Sequence, residues 1–538
     1  MRQLFPLGHL LILLTAIASQ AALATDPIVC IDEDDFVPPP VAPAPQAVET
    51  GLPRAIYEGA TPADLDPNRP VLVFVHGLNG SGDGWFGETM YYGRNDMYDT
   101  AYAAGYKAFI VDLFDVGAEA ETSIKNGALL QRQISWIRNY WGVDAVNVVA
   151  HSKGGPDANF AALVFGSEID SVVTLGGAHY GSPLADLAQT DWLEWLAELI
   201  GFNDSGTKFM QTGCMSLMRD VLDRSPANND LHFYTAAGTG WGPFLSALEF
   251  GGLYLWTVCP DRENDGVVCL EHARHPLSRD ANGAVSGQHR LIWDVVGPDF
   301  EVDHDKIRRG HGFFDFFWWF EPDDCYVPVF DSIAPYAGQF NAGGARTPVA
   351  TTPVVTAPPA QPDSTAGTVD VEPVPGNILR GGPLVAGDDV IEFPLEAGVR
   401  KLDVRVLTAR PDTRVSLVSP NGVVYRLGRA QRTRATFFDG TFVSGMRLDA
   451  AQLRDAAGSW VLRMEATADD AYALLVSVES SLALALQAPT ASALALPGDA
   501  ELSVSGGVKS VRVQARVRRT STARGAERKG VFVTDGGN

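Results

Sequence analysis

The stretch AVNVVAHSKGGPDANFAALVF, residues 145–165, constrains the fold of this chain more than any other. An unbroken apolar run ends at Ala150-His151-Ser152-Lys153-Gly154 and passes at once into a segment of helical pattern. A strand that turns into a helix this tightly must hold its central residue in a strained backbone conformation. The residues two before and two after that position then approach neighbouring main chain closely, and Ala150 and Gly154 leave the room. The Ser152 hydroxyl would stand clear of the strand, with a helix N-terminus behind it that favours developing negative charge. Five-residue matches of this kind are common; the strand before it and the helix after it make this one specific.

The surrounding sequence has the rhythm of an α/β fold with a mostly parallel central sheet. VLVFV (71–75), AFIVD (108–112), AVNVVA (145–150), SVVTL (171–175) and LHFYTA (231–236) are continuous apolar runs, as expected of parallel strands covered on both faces. NGALLQRQISWIRNYW (126–141) has helical spacing at Leu130, Ile134 and Ile137. The first strong strand runs into His76-Gly77-Leu78 and then into the glycine-rich NGSGDGW. A serine attacking an acyl group needs two N–H donors for the oxyanion, one following the nucleophile and one from the loop after an earlier strand. The backbone amides of Lys153 and Leu78 are the candidates. His76 precedes the serine and reads as a structural hydrogen-bonding residue rather than a base.

Composition bounds the partners. A formal charge of −24 with 20% charged residues argues against nucleic acid and against simple attraction to anionic lipid. Residues 1–24 read as a signal peptide: Met1-Arg2, the apolar LLILLTAIA, and Ala22-Leu23-Ala24 before Thr25. The expectation is a secreted or periplasmic protein. Five cysteines suit an oxidising compartment. Cys259–Cys269 and Cys30–Cys325 are the expected bridges, with Cys214 unpaired. No cysteine has zinc-ligand spacing with histidine, so a structural metal is not expected.

Residues 25–50 form a Pro/Ala-rich stretch, read as an extended arm, ahead of a domain at 51–335. A Pro/Thr/Ala-rich linker occupies 336–376. Short alternating strands follow: Leu402, Val404 and Val406 alternate with Lys401, Asp403 and Arg405, and Trp460, Leu462 and Met464 repeat the pattern. Asn421-Gly422 between two strand-like runs marks a hairpin. Residues 377–485 are therefore read as an all-β sandwich. The locally basic tail, 486–538, is read as partly disordered.

VHGLNGSGDGW, AHSKGG and TLGGAHYGSPLADL together resemble secreted bacterial triacylglycerol lipases and esterases of the α/β-hydrolase superfamily, over roughly residues 70–320. The resemblance implies ester hydrolysis without an organic cofactor, by a Ser, Asp, His triad in that chain order. Asn264-Asp265-Gly266-Val267-Val268 matches the family's acid loop, which makes Asp265 the residue that orients the histidine. A bridge from Cys259 to Cys269 would hold that loop. His304, with Ile307 three positions on, resembles the family's histidine; His289 is the other candidate. Some relatives bind calcium through an Asp two positions after the histidine. Lys306 stands there, although Asp303 or Asp305 could replace it.

TDWLEWLAELIGF (190–202) carries an apolar helical stripe of Trp192, Trp195, Leu196 and Leu199. It fits either a lid that makes transient contact with a lipid interface or an ordinary core helix. The run Phe313 to Phe320 reads as a packed C-terminal helix or as a substrate wall. The expected activity is that of a serine carboxylic-ester hydrolase acting on acylglycerols. Alternatives are a polyester depolymerase, phospholipase or amidase with the same triad, or a non-catalytic binding protein on the same fold. The partner of the C-terminal domain is not legible.

Overall fold

A computed structural model provides the coordinates of the protein. The structure describes residues 31–32, 34–116, 119–189, 204–223, 231–275, 302–314, 325–338, 377–395, 399–427, 436–439, 442–453, 457–480, 482–485, 510–519 and 528–535. The chain divides into two compact units, one running to Thr365 and one from Ala366 onward, with Gly381–Pro383 grouped in the first.

The first unit is built on a seven-stranded sheet. Its strands are β1 (Gln46–Val48), β2 (Ile56–Glu58), β3 (Leu72–Val75), β4 (Ala108–Val111), β5 (Val146–His151), β6 (Ile169–Leu175) and β7 (His232–Ala236). They lie in the order β1-β2-β4-β3-β5-β6-β7. The five strands β3 to β7 pair in parallel, and β1 and β2 add an antiparallel edge. Every residue of β3, β4 and β5 is buried, which is why these strands read as continuous apolar runs. Register decides what meets at the carboxyl end of the sheet. Val75 lies opposite Ala150 and His151 opposite Leu175, so the loops leaving β3, β5 and β6 open side by side. Ligands of open α/β sheets bind at this edge.

Two helices support it. Helix α1 (Ser123–Trp141) is capped by the Thr122 hydroxyl and ends at Gly142 in a left-handed conformation. Helix α2 (Gly154–Leu163) is buried along its whole length, so it carries no polar face.

The Pro-rich stretch is not simply an arm. Gln46–Val48 pairs with Ile56–Glu58 as the sheet's edge strand. Ala42 N donates to Asp99 Oδ1 at 3.0 Å and Tyr98 OH donates to the Pro43 carbonyl at 3.1 Å. Prolines preset an extended chain, which suits an edge strand as well as a linker. A separate three-stranded sheet joins Ile31–Asp32, Cys325–Pro328 and His311–Phe314. Phe313 and Phe314 thus lie in a strand and not in a C-terminal helix, because they pair with Tyr326 and Cys325. Residues 315–320 lie outside the described residues.

The second unit holds a five-stranded and a four-stranded sheet. Leu402, Val404 and Val406 from one, and Trp460, Leu462 and Met464 from the other, share a single core and are fully buried. The unit is a β-sandwich with an apolar interior. Arg414–Val418 and Val424–Arg426 form the hairpin marked by Asn421-Gly422, and Gly422 turns at φ +82°. Strands Leu482–Ala485, Ser510–Arg519 and Arg528–Asp535 form a further antiparallel sheet. The basic tail therefore contains strands: its arginines alternate with Val511, Val513, Ala515 and Val517, a period of two that overall charge conceals. Among the described residues no helix is long and apolar enough to cross a membrane.

Candidate active site

Ser152 sits at the β5–α2 turn with φ 54°, a left-handed conformation that costs an L-residue about 1–2 kcal/mol. Three backbone bonds hold it there: its N–H donates to the Leu175 carbonyl at 3.0 Å, and its carbonyl accepts from Gly155 and Ala178. The expected crowding is present. A Cβ on Gly154 would stand 2.5 Å from the His76 carbonyl oxygen.

His304 and Asp265 meet from loops that β-strand pairing does not connect. His304 Nδ1 lies 2.7 Å from Asp265 Oδ2. The other carboxylate oxygen accepts the amides of Val267 at 3.0 Å and Val268 at 2.7 Å. The His304 amide donates to the Asp265 carbonyl at 2.9 Å, so main chain and side chain fix the pair together. With one oxygen held by two amides, the carboxylate is fixed with its other oxygen on the ring and selects the Nδ1–H tautomer. A disulfide from Cys259 to Cys269 ties this acid loop to the end of helix α3 (Ala247–Val258). Cys214 is a free thiol, and Cys30 lies outside the described residues.

The His76-Gly77-Leu78 loop packs directly on the serine. A Cβ on Gly77 would be 2.5 Å from Ser152 Cβ and 3.1 Å from Ser152 Oγ, so only glycine fits. Among the described residues neither the Leu78 nor the Lys153 amide donates a hydrogen bond. Two such donors beside a serine suit an incoming anion. His76 is a structural residue: its Nε2 accepts from the Leu113 amide at 3.0 Å and its Nδ1 donates to the Gly77 carbonyl at 2.9 Å. Burial lowers its pKa and keeps the ring neutral.

One cleft gathers Ser152, His304, Gly77, Leu78 and Lys153. Its walls are largely apolar, with Met90, Met210, Leu248, Val267 and Val268 among them. The arrangement can accept an apolar acyl group, present an oxygen nucleophile beside an imidazole, and hold an oxyanion. His289 and the 190–202 stripe lie outside the described residues. The other histidines after Asp265 have duties elsewhere: His272 meets the Gly181 carbonyl, His275 is 4.0 Å from Phe233 in a stack, and His311 is 2.7 Å from Asp96.

The carboxylates around position 304 are engaged by protein donors. Asp303 accepts the amides of Asp305 and Lys306 and the Tyr92 hydroxyl. Asp305 accepts the Tyr91 amide at 2.9 Å and Arg308 Nη2 at 2.6 Å. The Lys306 ammonium is 3.9 Å from Asp303 and 4.6 Å above the Tyr92 ring, so positive charge already lies beside this loop.

Three residues that local pattern did not mark join the site. His151 Nε2 lies 2.8 Å from the His304 carbonyl oxygen. Asp115 and Asp157 flank the buried Lys153 ammonium. The sequence signal available for them was only polarity inside apolar runs.

Comparison with known proteins agrees with this architecture. The α/β hydrolase fold family model matches residues 70–208, and the proprotein convertase P-domain model matches residues 402–479. The chain is 30% identical to a triacylglycerol lipase of Vibrio cholerae over 118 residues, which is 22% of this chain and 35% of that one. It is 27% identical to a triacylglycerol lipase of Burkholderia plantarii over 156 residues, 28% of this chain and 41% of that one. The match thus spans about two-fifths or less of these curated relatives. A Bacillus licheniformis lipase in its mature form is 35% identical across 49% of this chain and 95% of its own, with a TM-score of 0.41. On the family match and the shared sequence, residues 70–208 form a domain of the α/β hydrolase fold, and part of this chain is similar to triacylglycerol lipases.

Proposed function

We propose that the protein is an exported serine carboxylic-ester hydrolase that acts on acylglycerols. The observation that carries the reading is one cleft holding a strained Ser152 and His304, with the His304 ring 2.7 Å from Asp265. The apolar walls support an acyl substrate, and the names of the curated relatives support a glyceride. Export rests on the signal-peptide pattern of residues 1–24.

Ser152 Oγ attacks the ester carbonyl carbon as His304 Nε2 takes its proton. The carbonyl electron pair moves onto oxygen and is held by the Leu78 and Lys153 amides. His304 then protonates the alcohol oxygen, the ester C–O bond breaks, and the acyl group remains on Ser152. A water deprotonated by His304 attacks the acyl-enzyme and releases the acid, with the Ser152 proton restored. Asp265 holds the ring in register and stabilises its charged form.

The test is hydrolysis of short- and long-acyl p-nitrophenyl esters and of a triacylglycerol emulsion by the mature protein. Ser152→Ala and His304→Ala should each lower kcat by about 10³-fold or more. Glyceride cleavage with a long-chain preference supports the lipase assignment. Full activity in Ser152→Ala overturns the mechanism, and full activity in His304→Ala moves the base to another histidine.

A further inference from the structure

The Lys153 side chain is fully buried, which is expensive for an ammonium unless it is paired. Its Nζ lies 2.7 Å from Asp115 Oδ1 and 3.2 and 3.1 Å from the two oxygens of Asp157. Burial opposes the charge on Lys153, but the two carboxylates outweigh it and raise its pKa. Asn126 Nδ2 donates to Asp157 at 3.1 Å, and Asn126 Oδ1 accepts the Phe114 amide at 3.1 Å.

Asp115 occupies a particular place in this cluster. Its main-chain carbonyl accepts the Asn79 amide at 2.8 Å, and two residues earlier the Leu113 amide donates to His76 Nε2 at 3.0 Å. Those two bonds bracket Gly77 and Leu78. The Asp115 side chain meanwhile grips Lys153. One residue thus binds both segments whose amides face the substrate: Leu78 through the chain after β4, and Lys153 through its ammonium.

We propose that Asp115 and the Lys153 ammonium form a positioning clamp that sets the spacing of the Leu78 and Lys153 amides around the oxyanion. The inference rests on the ester-hydrolase reading above and assigns the Lys153 side chain a role separate from its amide. The clamp touches no reacting atom. It acts on the transition state because an oxyanion needs both donors at once, whereas the ground-state carbonyl needs neither as strongly.

The experiment compares Asp115→Asn with Asp157→Asn in the full-length mature protein. Each alters one of the two carboxylates that meet the same ammonium and leaves the other in place. In folded Asp115→Asn, kcat on p-nitrophenyl butyrate should fall about 10- to 100-fold with KM within about twofold, as for small misplacements in other active sites. Affinity for an alkyl trifluoromethyl ketone, which forms a tetrahedral adduct on the serine, should fall by a similar factor. Asp157→Asn should lose about tenfold less on both measures. Wild-type kcat and inhibitor affinity in folded Asp115→Asn overturn the clamp, and so do equal losses in the two variants. If Asp115→Asn is unfolded at the assay temperature, Asp115→Glu keeps the charge, displaces the carboxylate and carries the same expectation. Ser152→Ala is measured alongside. If it is fully active, the hydrolase reading fails and the clamp with it. If it is inactive while Asp115→Asn behaves as wild type, the clamp alone fails.

Discussion

The His151 ring nitrogen Nε2 lies 2.8 Å from the main-chain carbonyl oxygen of His304, and the two rings are 4.5 Å apart. The residue before the proposed nucleophile therefore holds the backbone of the proposed base. A neutral Nε2–H donor is required, and burial, the neighbouring His304 and Arg308 push the His151 pKa well below its usual range.

That bond predicts the behaviour of His151→Phe, which keeps a ring and loses the donor. The His304 carbonyl would be left unsatisfied in a buried site, at a cost of about 1–3 kcal/mol in stability. Turnover should fall about tenfold or more as the imidazole loses its register. Steady-state kinetics and urea unfolding measure the two effects; an unchanged kcat would show that His304 is held by Asp265 alone.

Gly77→Ala places a methyl group 2.5 Å from the Ser152 β-carbon. Either the loop or the serine must move, and both lie at the proposed oxyanion site. The expected result is a loss of kcat of about 10²-fold or more with an overall fold still visible by circular dichroism. Activity at the wild-type level would mean that the loop relaxes without displacing Leu78.

Stability should fall steeply on the acid side of neutrality. His76, His151, His179 and His275 are buried, and burial lowers the pKa of each, well below the usual range for the last three. Above pH of about 6.5 these rings are neutral in folded and unfolded chains alike. As pH falls below that value the unfolded chain binds protons that the folded chain refuses, and stability is progressively lost. Urea midpoints at pH 8, 6.5 and 5 check this, with the expected order descending. A midpoint independent of pH across that range would contradict the burial of these rings.

The disulfide closes a loop with a sequence separation of 10 between Cys259 and Cys269, and Asp265 lies within it. Replacing both cysteines by serine should cost about 3 kcal/mol on the chain-entropy estimate. Because the loop carries the proposed acid, kcat should fall as well as the melting temperature. Differential scanning calorimetry with parallel kinetics would separate the two, and a stability loss at constant kcat would assign the bridge a purely structural role.

Some of this was legible along the chain because it depends on near neighbours. Strands buried on both faces must be mainly apolar, and β3 to β7 are dominated by buried apolar residues. A serine at positive φ between strand and helix needs small flanking residues, and Ala150 and Gly154 are adjacent to it in sequence. The hairpin at Asn421-Gly422 was legible for the same reason: the turn residues carry their own conformational preference. The placement of Asp265 relative to His304 drew on resemblance and not on pattern, since 39 positions separate them.

What the sequence by itself determined is therefore local: which runs are strands and where the serine turn falls. The tertiary structure decided the rest. It turned a Pro-rich stretch into an edge strand, because Ile56–Glu58 presents unpaired backbone groups that Gln46–Val48 satisfies. It put Lys153 between Asp115 and Asp157, because an ammonium forced inside by the tight turn must meet opposite charge there. It set His151 on His304 across 153 positions of chain. Such pairings are chosen by how sheet and loops close around the cleft, and no stretch of neighbouring residues carries that information.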